Sequence, residues 1–227
     1  MMEKAEKALA AKDFAQAAEI AIKVAEANAT NPQLQQRLAE IVFLAGKPAE
    51  SVPLFDRVVK LLPETAPQNW QRGIALCCVG NFEEGERQFA THHAVNPDDV
   101  ENSAWHFLCV AKTKGLAEAR KSVIGSRGDS REPMMSVLKM LKGELTPEKV
   151  TVAAVANTTE GASRRQAEFY GSLYIALYFD SIGETEKAIA EFKRCVALGE
   201  QGYMADTARV YLASRFPKGR ATTTNGK

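Results

Sequence analysis

The chain has 227 residues, enough to bury a core as one extended domain or one to two compact ones. Lys and Arg number 29 against 28 Asp and Glu, so no charge excess marks a partner of nucleic acid. Hydrophobic residues make up an ordinary 45%, and the longest apolar stretch, LYIALYF at 173–179, falls far short of a membrane-spanning helix.

The N-terminal MMEKAEKALAAKDF is charged and helix-forming. It lacks an apolar segment followed by a small-residue cleavage site, so it does not read as an intact export signal. The doubled Met reads as a cloning scar, which leaves an earlier leader open; localisation is unassigned, with the cytoplasm favoured. Next, KALAAKDFAQAAEIAIKVAEA forms a degenerate first unit, in which Phe14 aligns with Pro48 and Ala17 with Ser51.

The two following segments, about 33–64 and 67–98, repeat each other at an interval of 34 residues. At that shift Gly46 meets Gly80, Phe55 meets Phe89 and Pro63 meets Pro97; Ala39 meets Gly73 and Ser51 meets Gly85. The order reflects packing. Antiparallel helices approach closely only where one side chain is small, and the mid-repeat Gly ends the first helix in a left-handed conformation. Phe on the second helix fills the space between neighbours.

Beyond these repeats the period blurs. NPDDVENSAWHFLCVAK predicts a helix over 96–114, capped by Asn96, with Pro97 first and Asp98 and Asp99 facing the positive dipole end. Shorter helices are expected near 116–123, after Pro133, and from Pro147 with Thr146 as cap. GSRGDSREP reads as a solvated loop. The repeat grammar returns at about 169–200, where Gly183, Ala188 and Phe192 keep the Gly–small–Phe order. A helix at 203–215 is expected to cover the apolar end of the array, and the tail 216–227 to be disordered.

Period and residue order resemble the tetratricopeptide repeat (TPR). NPDDVENSAWHFLCVAK, FYGSLYIALYFDSIGE and YMADTARVYL also resemble a largely uncharacterised group of bacterial and plastid TPR-like proteins. More loosely, the C-terminal repeats are similar to those of NlpI-type TPR adaptor lipoproteins, although the lipid-anchored N-terminal Cys of that type is absent. The resemblance implies an all-α, TPR-like superhelix of antiparallel helix pairs over 1–215, with an irregular middle and a C-terminal capping helix. It further implies a partner-binding concave surface lined by the first helix of each pair.

Projected onto this chain, that register places Gln36, Arg37 and Glu40 on the groove, then Trp70, Gln71 and Ile74. Glu101, Trp105, Leu108 and Lys112 follow, and last come Tyr170, Leu173, Tyr174 and Leu177. Aromatic residues in this set suit peptide binding, while their competing role is to fill gaps between helices. Chaperone-type TPR domains clamp a terminal carboxylate with Lys and Asn; here those positions hold Gln36, Glu40, Trp70 and Ile74, so that clamp is absent.

His106 and Cys109, one turn apart, raise the question of catalysis, and His92, His93 and His106 that of a metal. Neither spacing preorganises such a site. The preferred reading makes His106 an interhelical hydrogen bonder and His92 and His93 caps at a helix end. None of the four cysteines, Cys77, Cys78, Cys109 and Cys195, stands in CxxC spacing, and each reads as a small buried hydrophobe in a reducing compartment. The expectation is therefore a non-catalytic scaffold or adaptor for a protein or peptide, without cofactor, metal, nucleic acid or membrane span. A metal-dependent or hydrolytic enzyme and an architectural homo-oligomer stand as alternatives.

Overall fold

The computed structural model describes residues 1–217, and every regular element among them is helical. α1 (Met2–Ala10) and α2 (Phe14–Ala27) open the chain, followed by α3 (Pro32–Leu44) and α4 (Pro48–Leu61). A 3-10 turn at Pro63–Gln68 leads into α5 (Trp70–Val79), α6 (Phe82–His93) and α7 (Val100–Lys114). Three short helices come next: α8 (Leu116–Lys121), α9 (Met134–Lys142) and α10 (Pro147–Ala156). The long α11 (Ala162–Ser181), α12 (Thr185–Ala197) and α13 (Tyr203–Arg215) follow. No helix among the described residues is long and apolar enough to cross a membrane.

Four of the hairpin turns share one geometry. Lys12, Gly46, Gly80 and Gly183 have φ of +60°, +83°, +80° and +82°, each two residues before the next helix. Their backbones close the preceding helix in the same way: Gly80 N donates to Cys77 O at 3.1 Å and Asn81 N to Leu76 O at 2.9 Å. Orphan carbonyls are satisfied while the chain reverses. Lys12, Gly46 and Gly80 recur at intervals of 34 residues. Following side chains restart the helices: Asp13 Oδ1 accepts from Gln16 N at 3.1 Å and Asn81 Oδ1 from Glu84 N at 3.4 Å.

The pairs α1–α2, α3–α4, α5–α6 and α11–α12 pack as hairpins, and α2–α3, α4–α5 and α6–α7 contacts join successive pairs. Phe55, Phe89 and Phe192 are fully buried, each stabilising by roughly 1.5–3 kcal/mol. Small residues make room for them. A Cβ on Gly73 would sit 2.7 Å from the Phe89 ring, and one on Gly85 2.8 Å from Cys109 Sγ.

Two helix starts depart from the sequence reading. α7 begins at Val100, and its cap is Asp99, whose side chain accepts from Glu101 N at 3.1 Å. Asn96 does not cap it: the residues before α7 form turns, and the Asn96 amide instead donates to Asp99 Oδ2 at 3.3 Å. Thr146 holds the cap position of α10, yet its side chain makes no capping hydrogen bond. The loop at 126–131 is solvated at Arg127, Gly128, Ser130 and Arg131, with one side chain turned inward. Asp129 is largely buried, pairs with Arg131 at 2.6 Å, and accepts from Val100 N at 3.4 Å.

α11 packs directly on α7, so α8, α9 and α10 sit beside the pair arrangement instead of extending it. α13 then returns across the molecule. It touches α12, but it also lies on α3 and α5, near the start of the chain, and not only over the end of the array. Phe216, assigned by sequence to the tail, packs against Phe192 and Tyr211. Residues 218–227 of that tail lie outside the described residues.

Candidate partner-binding face

One helix identifies a common face. α13 lies on α3 and α5, its Tyr211 ring meets Trp105 of α7 at 5.7 Å, and the Tyr211 hydroxyl donates to Asp180 of α11 at 2.6 Å. At its other end Tyr203 stacks on Phe43 of α3 at 5.8 Å and sits edge-on to Trp70 of α5 at 5.0 Å. Between them, Arg209 donates to Leu44 O at 2.5 Å and covers the Phe14 ring at 4.3 Å. Arg215 covers Phe82 at 5.0 Å. Of the thirteen residues of α13, only Ala213 is exposed.

The residues projected onto a groove divide into two sets. Gln36, Arg37, Glu40, Trp70, Gln71, Glu101, Lys112 and Tyr170 keep partial exposure. Ile74, Trp105, Leu108, Leu173, Tyr174 and Leu177 are buried, with Trp105 at 1% and Tyr174 at 0%. Geometry explains the division. α7 is enclosed by α6, α9 and α11, so every residue from Asn102 to Ala111 is buried. Trp105 accordingly stacks on Phe89 at 6.2 Å as well as meeting Tyr211.

Polar residues of the first set are linked across helices. Glu40 binds Arg37 at 3.2 Å and receives Gln36 and Gln71 at 3.0 and 3.4 Å; Arg37 reaches Glu6 at 2.9 Å. Asn69 donates to Gln36 at 3.0 Å. Lys112 pairs with Asp180 at 2.6 Å, the same carboxylate that Tyr211 binds.

Beside the start of α13 lies a cavity of about 270 Å³. Its apolar wall comes from Trp70, Ile74, Phe89, Trp105 and Met204, with polar groups from Asp99, Glu101 and Asn102. Asn102 donates to Phe89 O at 3.1 Å, while its Oδ1 and the Trp105 Nε1–H are buried without partners. Four projected residues, Trp70, Ile74, Glu101 and Trp105, thus meet at one cavity.

Arg131 gathers the nearby carboxylates, bonding Asp129, Asp99 and Glu101. Hydrogen bonding to Asp129, with the charge of Glu101, pushes the Arg131 guanidinium above its ordinary range. Burial raises the Glu101 carboxyl, against the lowering influence of hydrogen bonds from Tyr174 and Arg131. Tyr170 stacks on Tyr174 at 6.3 Å and lies under Arg131 at 5.9 Å. This corner is tied together by charge and by ring contact.

The histidines and cysteines are arranged for packing. Cys109 Sγ lies 3.3 Å from Cys77 Sγ, in space that Gly85 leaves open. Among the described hydrogen bonds none joins Cys109 to His106, whose Nδ1 is buried and unpartnered. His92 Nδ1 meets Pro67 O at 2.7 Å. Burial pushes the Cys109 thiol well above its ordinary value and holds the His106 imidazole below its own. Among the described residues no three His, Cys, Asp or Glu side chains converge as metal donors.

Sequence reasoning missed Tyr203, Arg209, Tyr211, Arg131 and Asp180. The first three belong to YMADTARVYL, whose aromatic and basic residues spread around the helix and form no one-sided apolar stripe. No family model matches the chain.

Proposed function

We propose that this chain is a TPR-like helical-repeat scaffold without catalysis of its own, which binds a protein or peptide partner on the face of α3, α5, α7 and α11. Support for the repeat comes from the left-handed turn that recurs at Lys12, Gly46 and Gly80, with a Phe-for-small-residue exchange at Phe89 and Gly73. The observation that carries the binding reading is α13 itself: this face already accepts a helix, through aromatic stacking, cation–π contacts and a few directed hydrogen bonds.

Partner binding is tested by affinity purification from native lysate, with co-purifying proteins identified by mass spectrometry. The half-buried Trp70 and Tyr170 are replaced by Ala, and Val152→Ala, 64% exposed on α10, serves as control. The main partner is expected to be lost from the double variant and retained by the control. Equal recovery from all three proteins would refute the assignment of the face.

A further inference from the structure

The cavity of about 270 Å³ lies just below the size typical of small-molecule sites, roughly 300–1,000 Å³, and suits one anchoring side chain. Its walls include the rings of Trp70, Phe89 and Trp105, whose orientations other contacts already set. Tyr203 meets Trp70 edge-on at 5.0 Å, while Phe89 and Trp105 stack on each other at 6.2 Å. Trp70, Asp99, Glu101 and Met204 keep partial exposure and Asn96 is exposed, so the mouth lies on their side.

The polar side chains of the lining have committed their donors within the protein. Asn102 Nδ2 donates to Phe89 O at 3.1 Å, and Asn96 Nδ2 donates to Asp99 at 3.3 Å. His92 Nδ1 donates to Pro67 O at 2.7 Å, which leaves Nε2 of the neutral ring an acceptor. The amide oxygens of Asn96 and Asn102 and the carboxylates of Asp99 and Glu101 add further acceptors. Charge points the same way. Asp99, Glu101 and Asp129 share one guanidinium, that of Arg131, so three carboxylates meet one cation. Among the described residues no Lys or Arg lines the cavity.

We propose that this cavity is the anchor pocket of the binding face and takes an arginine side chain of the partner. The assignment rests on the reading of this face as a docking surface and names what the partner presents to it. A guanidinium carries five donors and no acceptor, the complement of an acceptor-rich lining. Its flat face stacks on an indole, its edge reaches the carboxylates at the rim, and its alkyl stem packs on apolar surface. A lysine ammonium offers a point charge without a stacking plane, and a neutral aliphatic chain leaves the acceptors unmet.

Trp70 and Trp105 are the two tryptophans of the chain, so both indole N–H resonances report on this cavity. The full chain, labelled with heavy nitrogen, is titrated with N-acetyl-arginine amide, N-acetyl-lysine amide and N-acetyl-norleucine amide. With arginine amide both resonances are expected to shift along one saturable curve, with a dissociation constant on the order of 1 mM. Lysine amide is expected to bind at least about three-fold more weakly, and norleucine amide not to saturate. Asp99→Asn retains a capping side chain on α7, and Glu101→Gln retains an acceptor for Tyr174. Either one, with far-UV circular dichroism unchanged, should weaken arginine amide binding by roughly three- to ten-fold.

Unmoved indole resonances overturn the proposal, as does norleucine or lysine amide that binds as tightly as arginine amide. Loss of the partner on Trp70→Ala with Tyr170→Ala, beside unmoved indole resonances, would leave the docking face standing and remove only its arginine anchor. Saturable arginine binding with equal partner recovery from every variant would instead refute the face, and with it the partner as the source of that arginine.

Discussion

The Tyr211 hydroxyl donates to Asp180 Oδ2 at 2.6 Å, and the other oxygen of that carboxylate pairs with Lys112 Nζ at 2.6 Å. Three helices, α7, α11 and α13, are joined at one buried anion. Tyr211→Phe is expected to cost about 1–2 kcal/mol, since it removes one charge-assisted hydrogen bond and keeps the ring. Asp180→Ala is expected to cost more, about 2–3 kcal/mol, because it removes the acceptor of Tyr211 and the counter-charge of Lys112, which keeps only the backbone carbonyl of residue 180. Urea denaturation of both variants checks the order; equal losses would show that the carboxylate does not couple the helices.

Close approach at the hairpins gives a second prediction. Gly73→Ala places a methyl group 2.7 Å from Phe89, and Gly85→Ala places one 2.8 Å from Cys109 Sγ. Both positions are helical, so the cost is steric, about 1–3 kcal/mol each. Combining Gly73→Ala with Phe89→Leu should recover part of the loss, read as a double-mutant cycle.

Lys12 holds φ of +60° where the corresponding turns have Gly46 and Gly80. Lys12→Gly removes the left-handed penalty on a side-chain-bearing residue and is expected to stabilise by roughly 1 kcal/mol. A rise in thermal midpoint checks this, with Gly46→Lys falling by a similar amount.

His106 titrates in a folded environment that disfavours its charge. Burial is the main cause, the charges of Lys114 and His93 add to it, and Glu86 opposes it. Its folded value lies below the ordinary 6.5, so the unfolded chain takes up the proton first. Its contribution is fully present above that ordinary value and is lost as pH falls toward the depressed folded one. The urea midpoint of the chain should drop across this interval, and His106→Gln should flatten the drop.

Burial pushes the thiols of Cys78, Cys109 and Cys195 above their ordinary value, and all four cysteines are enclosed. Thiolate is the reactive form, so labelling by a disulfide reagent in native buffer should be slow. Its rate should follow global unfolding as urea is added. Rapid native labelling of any one thiol would reveal a local opening.

The helical character and hairpin turns were legible because they rest on local chemistry. Gly46 and Gly80 take the left-handed turn their spacing implied, and small residues stand where Phe89 needs space. The true start of α7 was less legible, since Asn96-Pro97 carries a local cap signal, yet the chain turns here and Asp99 makes the capping bond. Least legible was the path of α13. Tyr203 meets Trp70, and Arg209 meets Leu44, across most of the chain, and no periodicity within YMADTARVYL encodes that return. Trp105 shows the same limit: its register placed it on a face, while α6 and α13 enclose it from both sides.

The assignment of the binding face is tested most directly by site-specific photo-crosslinking in cells, with the reactive side chain at Gln71 on α5 or at Val152 on α10. The account predicts a discrete crosslinked partner from Gln71 and none from Val152. A partner captured from Val152 alone, or equally from both positions, would contradict it.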